Sequence, residues 1–196
     1  MRAGTWAVLV VAGLAAGCAS KPETPTESTA VFACPFAGIT EAIAAVGPVG
    51  GKGNVHGVVR FVQVEGGVKI TAEIEGLKPS SKHAFHVHEW GDATCMDGKC
   101  AGGHFNPEGA QHGGPDSPIH HAGDLGNLET DAKGMAKLER VFLGLTIGGD
   151  HDAVLGRSVI IHAGEDDFTT QPTGVPGDGA MRIGCGVIGI AKPAAK

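Results

Sequence analysis

The sequence predicts an all-β chain, an eight-stranded antiparallel sandwich or barrel with two long functional loops. Three observations predict it. Glycine fills 33 of 196 positions, tyrosine is absent and aromatics make up 5%, a composition of many turns and few helical stripes. Eight short runs have the alternation or β-branched content of strands, and none has the 3.6-residue period of an amphipathic helix. Gly- and Asp-rich turns separate the runs.

Ile39–Val46 opens the series and ends at the turn GPVGGKGN. His56–Val64 and Val68–Ile74 flank Glu65-Gly66-Gly67, a hairpin signal. Ala84–His88 follows. Leu125–Thr130 and Met135–Val141 flank Asp131–Gly134, a second hairpin. Arg157–His162 and Arg182–Ile190 complete the eight. No internal repeat is visible. The long connections are 89–123 and 163–181. Structureless connections beyond about 12–15 residues are usually functional or disordered. The first is rich in metal-binding residue types, which points to function.

The net charge is −6. No basic stripe is present, so nucleic acid is not an expected partner, nor is polybasic attachment to an anionic membrane. Arg2 precedes an apolar run, Trp6–Ala16, that is too short to span a bilayer. Leu14-Ala15-Ala16-Gly17-Cys18 resembles a bacterial lipoprotein signal, with Ala15 where leucine is usual. The expected organisation is a signal peptide over 1–17, a lipid-anchored tether and extension over 18–38 starting at Cys18, and a functional domain over 39–196. The rival is an ordinary secretory signal with an incidental cysteine. An odd thiol in an exported chain needs an explanation. With Cys18 lipidated, Cys34, Cys95, Cys100 and Cys185 remain, enough for two disulfides in an oxidising compartment. Three pairings are open.

Residues 85–124 hold six of the ten histidines. His86 and His88 alternate on a strand, so both face one side about 6.6 Å apart. His104, His112, His121 and Asp124 offer three nitrogens and one oxygen. Such a set can close a tetrahedral zinc site, and imidazole suits copper equally. A metal centre is therefore expected from residue types alone.

GHFNP at 103–107, HGGP at 112–115, HHAGDLGN at 120–127, GDH at 149–151, GRSVIIHAGEDD at 156–167 and RIGCGVIGIAK at 182–192 resemble, in order and spacing, the copper/zinc superoxide dismutases. The resemblance spans about residues 40–192. It implies a Greek-key barrel and an enzyme that dismutates superoxide to oxygen and hydrogen peroxide with copper and zinc. By position it implies His86, His88, His104 and His162 as copper ligands. His104, His112, His121 and Asp124 would be the zinc ligands, with His104 bridging the metals. It implies Asp166 as the aspartate joining the sites through His86 and His112, and Arg182 as the cation that holds superoxide beside copper. Register favours His121 over His120, which is expected to be a solvated loop residue, and Asp166 over Asp167. His56, His83 and His151 are expected to be structural, and Trp90 to pack near the loop.

The family usually has one loop cysteine bonded to the one matching Cys185, whereas this chain has two. The favoured pairing is Cys95–Cys185 with Cys34–Cys100, and Cys100–Cys185 is the alternative. In many eukaryotic members the second long loop guides the anion with charged residues. Here 168–181 has one acidic residue and no lysine, so Arg182 is expected to do most of that work. With its signal, the chain is expected in a bacterial cell envelope, lipid-anchored and facing the periplasm or cell surface. Its expected partners are superoxide and the membrane, and a homodimer is left open. The rival classes are a non-catalytic periplasmic copper/zinc binding or delivery module, and a structural β-sandwich lipoprotein. A copper-only enzyme is a further variant, against which His112, His121 and Asp124 argue.

Overall fold

A computed structural model of the chain describes residue 36 and residues 38–149 and 151–192. The signal, Cys18, most of the tether and Cys34 lie outside the described residues. Among the described residues eight strands form one sheet: β1 (Glu41–Pro48), β2 (His56–Val64), β3 (Gly67–Glu75), β4 (Lys82–His88), β5 (Asp124–Glu129), β6 (Ala136–Leu143), β7 (Ser158–His162) and β8 (Arg182–Ile190). Their spatial order is β5-β4-β7-β8-β1-β2-β3-β6, with every neighbouring pair antiparallel. The outer strands β5 and β6 are joined by the 130–135 turn and meet at a Thr130–Ala136 bridge, so the sheet nearly closes into a barrel.

The turns follow from local chemistry. Gly66 takes φ +75° between β2 and β3, a left-handed conformation that glycine adopts without a Cβ penalty. Between β5 and β6, the Asp131 carboxylate accepts the backbone N–H of Lys133 and Met135 at 2.8 and 2.9 Å. The first strand starts at Glu41 rather than Ile39, because the Ile39 N–H donates to the Phe36 carbonyl in a turn.

Alternation along the strands builds the core. Ala42, Ala44 and Val46 of β1, Val59 and Phe61 of β2, and Val68, Ile70, Ala72 and Ile74 of β3 point inward. β4 and β7 differ, since nearly every residue of each is buried. Phe85, Val87, Val159 and Ile161 enter the core. Their alternates His86, His88, Ile160 and His162 lie on the outer face and are nevertheless buried. The long loops 89–123 and 163–181 lie over this face. Antiparallel sheets often leave one side to water; here the loops dry it.

Candidate metal centre

β4 and β7 are adjacent antiparallel strands, with His86 opposite Ile160 and His88 opposite Ser158. That pairing puts His86, His88 and His162 on one patch. The first loop supplies the fourth imidazole. The Phe105 N–H donates to the Val87 carbonyl and the Val87 N–H to the Gly123 carbonyl, each at 2.9 Å, and His88 bridges to His104. His104 is thereby laid against β4, its ring centroid 3.9 Å from that of His86. One nitrogen from each of His86, His88, His104 and His162 lies within 4.8 Å of the others.

A second quartet lies on the other side of His104. Donor atoms of His104, His112, His121 and Asp124 also fall within 4.8 Å of one another. Asp124 Oδ1 is 2.8 Å from His104 Nδ1 and 3.3 Å from His121 Nδ1, and Oδ2 is 3.0 Å from His112 Nδ1. Oδ2 also accepts the backbone N–H of His121 at 2.8 Å and of Gly113 at 3.2 Å. All seven residues are buried, and His104 belongs to both groups.

Four buried ring nitrogens in these groups have neither a hydrogen-bond partner nor a carboxylate beside them: His86 Nδ1, His88 Nε2, His104 Nε2 and His162 Nε2. Buried polar atoms are nearly always satisfied, so four in one place indicate a ligand. The opposite ring atoms are engaged. His86 Nε2 bonds Asp166 at 2.7 Å, His88 Nδ1 donates to the Gly102 carbonyl at 3.1 Å, and His162 Nδ1 to the Ala180 carbonyl at 2.9 Å. Fixing one nitrogen sets the tautomer and aims the other, as metal-ligating histidines require. The donor set of imidazoles with one carboxylate fits copper and zinc.

Electrostatics agree. Burial, reinforced by neighbouring imidazoles, lowers His86 to about 3 and His162 to about 4, and holds His88 well below the usual histidine value. Burial also lowers His104. Neutral imidazoles keep the lone pair that coordination needs. His112 is the exception. Burial disfavours its charge, but hydrogen bonds to Asp124 and Asp166 outweigh it and raise it to about 9. Burial likewise opposes ionisation of Asp124, yet its three histidine partners hold its carboxyl far below the usual range. Two buried carboxylates around His112 create a place for positive charge.

Asp166 sits between the quartets, Oδ2 on His86 and Oδ1 on His112. Three positioning residues escaped sequence reasoning. Asn127 grips the Asp166 backbone, accepting its N–H at 2.8 Å and donating to its carbonyl at 3.0 Å. Gln171 does the same for His112 at 2.9 Å each way. Gly174 has φ +65° and lies where a Cβ would strike Asp166 Oδ1 and His112 Nε2. A polar side chain in a Gly/Pro-rich loop gives no sign of the backbone it will cap.

A cavity of about 1100 Å³ leads to His162, with Arg182 and Lys52, Met96, Lys99 and Met181 on its walls. Arg182 is fixed by hydrogen bonds of 2.7 Å to the carbonyls of Gly98 and Gly102. Lys52 and Lys99 come from other loops, so cations other than Arg182 also reach this mouth. The remaining histidines divide. His83 is buried between the His162 carbonyl and Ser81. His120 donates to the His121 carbonyl at 2.7 Å, and His56 is exposed. Trp90 is 62% exposed instead of packed, although its backbone anchors the loop through the Ala101 carbonyl.

The disulfide differs from the expectation. Cys95 is bonded to Cys100, and Cys185 is a free, half-buried thiol. Neither Cys95–Cys185 nor Cys100–Cys185 forms, and a Cys34–Cys100 bond is left without its Cys100 thiol. The reason is local. Gly98 takes φ +71° and starts a 3-10 turn over Lys99–Ala101, folding the chain back until the Cys95 and Cys100 Cα atoms are 5.5 Å apart. That is within disulfide reach, and a short loop costs little entropy to close. Cys185 lines a small cavity with Cys95, and burial raises its thiol pKa.

A nearly closed antiparallel barrel with a four-histidine group and a three-histidine, one-aspartate group sharing one imidazole defines a binuclear metalloprotein. The family model described as copper/zinc superoxide dismutase (SODC) matches residues 55–188. A protein named Superoxide dismutase [Cu-Zn] from Paramecium bursaria Chlorella virus 1 is 44% identical over 159 residues, covering 79% of this chain and 82% of that protein. Proteins of the same name from Candida albicans and Saccharomyces cerevisiae are each 40% identical over 76% of this chain, covering 99% and 98% of their own lengths. The chain belongs to the copper/zinc superoxide dismutase family, oxidoreductases with copper and zinc as cofactors.

Proposed function

We propose that the chain dismutates superoxide in a cell envelope, two superoxide anions and two protons giving one dioxygen and one hydrogen peroxide. The observation that carries this reading is the double membership of His104. In this reading His86, His88, His104 and His162 hold copper, and His104, His112, His121 and Asp124 hold zinc. Bound copper would supply the one-electron redox chemistry, and zinc, which has none, would be structural.

The protein's own groups do the rest. Arg182 presents a fixed cation in the cavity leading to His162, suited to holding a small anion. His104 Nδ1 lies against Asp124 while Nε2 has no hydrogen-bond partner. Nε2 is therefore the atom placed to hold a proton and release it to the forming peroxide. Asp166 keeps the His86 and His112 rings in place. A module that only carried metal would have no use for an arginine locked at the channel by two carbonyls. The lipoprotein-type signal over 1–17, followed by Cys18, supports export and anchoring, to the periplasmic face or the cell surface.

The test is superoxide dismutation by the copper- and zinc-loaded protein beside His104→Ala. Fast turnover that collapses in the variant supports the enzyme; full metal loading without turnover supports a carrier instead. Fatty-acid labelling that disappears in Cys18→Ala tests the anchor.

A further inference from the structure

A third group of metal-type side chains lies outside the centre. Glu108, His151 and Asp152 bring one donor atom each within 4.8 Å of one another. Glu108 follows His104-Phe105-Asn106-Pro107 in the first long loop; His151 and Asp152 belong to the β6–β7 connection. His151 Nδ1 is 3.3 Å from Glu108 Oε1 and 3.3 Å from Asp152 Oδ1.

Two features separate this group from an ordinary surface ion pair. First, both carboxylates converge on the same nitrogen. One N–H donates one good hydrogen bond, so the second carboxylate is left facing a like charge. Second, 3.3 Å is long for a charge-assisted N–H···O bond, which usually lies at about 2.7–2.9 Å. It matches the edge of a zinc tetrahedron. With Zn–N of about 2.0–2.1 Å and Zn–O of about 2.0–2.2 Å, neighbouring donors at the tetrahedral angle stand about 3.3–3.5 Å apart. In the zinc-type quartet the Asp124–His121 separation is likewise 3.3 Å.

We propose that Glu108, His151 and Asp152 form a surface site for a zinc-class divalent cation, separate from the binuclear centre. One imidazole and two carboxylates supply three ligands, and exposure leaves the remaining position to water. The His151 and Glu108 side chains are 59% and 71% exposed, so the site fills from solvent without opening the fold. A cation there would pin the metal-bearing loop to the β6–β7 connection, adding to the contacts Arg157 makes with the Glu89 carbonyl and the Phe105 ring.

The experiment uses the holoprotein with both centre sites filled and zinc ion alone as the probe. Equilibrium dialysis with metal analysis should find about one additional zinc per chain, with a zinc-dependent rise in thermal midpoint. His151→Ala and Glu108→Gln should each weaken that binding at least about tenfold, as expected from removing one of three ligands, and abolish the rise. Dismutase activity should stay unchanged, which shows that these exposed substitutions leave the fold and centre intact. No additional zinc in the parent, or additional zinc that persists in His151→Ala, overturns the proposal.

Discussion

Asp166 accepts hydrogen bonds from His86 at 2.7 Å and from His112 at 2.9 Å, one carboxylate oxygen for each. A single side chain thus sets the ring orientation of one member of each quartet. Its backbone is clamped by Asn127 and its Oδ1 also accepts the Phe168 N–H at 2.7 Å, so the carboxylate is itself immobile. Partners of this kind typically govern metal affinity by about 10–100-fold. Asp166→Asn puts an amide nitrogen where one histidine needs an acceptor. It should lower zinc affinity by about that factor, read by chelator competition, with a smaller loss of copper. Unchanged affinity for both metals would show that the rings hold themselves.

Gly174 supplies a second test of the same contact. Its φ is +65°, and a Cβ there would overlap Asp166 Oδ1 and His112 Nε2. Gly174→Ala therefore carries a left-handed penalty of about 1–2 kcal/mol and a collision with a hydrogen bond. The expected outcome is a lower thermal midpoint and zinc loss at chelator concentrations the parent resists. Gly177→Ala is the control: it too has positive φ, +57°, but open space around its Cβ. It should lose stability without losing zinc.

Arg182 donates 2.7 Å hydrogen bonds to Gly98 and Gly102 and shares its cavity with Lys52 and Lys99. Charged channels raise encounter rates by roughly 10–10³-fold. Arg182→Ala should reduce kcat/KM about tenfold and flatten, without abolishing, its dependence on ionic strength, because two lysines remain. Full activity with an unchanged salt profile would remove Arg182 from the anion's path.

The strands and the centre were legible for the same reason. Alternation puts His86 and His88 on one face, and period-two burial identifies Val59, Phe61, Ile70 and Ile74 as core. The long loops hid the rest. Nothing in the spacing of Gln171 or Asn127 says which backbone each will hold, because those contacts join segments 59 and 39 residues apart. The cysteines failed differently. A positive-φ Gly98 and one 3-10 turn decide their pairing, and neither is encoded in Cys–Cys distance along the chain.

The Cys95–Cys100 bond encloses Lys99. Trypsin cuts after lysine, so non-reducing peptide maps should hold the two peptides meeting at Lys99 together until a reductant is added. Cys185 should alkylate once the chain is unfolded without reductant. A loop of about six residues stabilises by about 2 kcal/mol in the chain-entropy model. Cys95→Ser with Cys100→Ser should lower stability by no more than that, whereas Cys185→Ser should leave the peptide map unchanged. A Cys185-containing cross-link in the parent map would contradict this pairing.

Removing the metals should make stability depend on acid. In the metal-free chain burial lowers His86 from 6.5 to about 3 and His162 from 6.5 to about 4. Below pH 6.5 the unfolded chain binds protons at these positions and the folded chain does not. Stability therefore falls as pH drops from 6.5 toward these values, by up to about 1.4 kcal/mol per pH unit for each histidine. His112 acts in another window. Its two carboxylate bonds outweigh burial and raise it to about 9, so its contribution is complete below 6.5 and is lost as pH rises through 9. The two effects together place the stability maximum of the metal-free protein near neutrality. Coordination occupies the same nitrogens, so the loaded protein should keep a flat profile until acid displaces the metals. Thermal midpoints of both forms between pH 4.5 and 7.5 decide the matter. A metal-free profile as flat as the loaded one would mean that the imidazoles reach water once the metals leave.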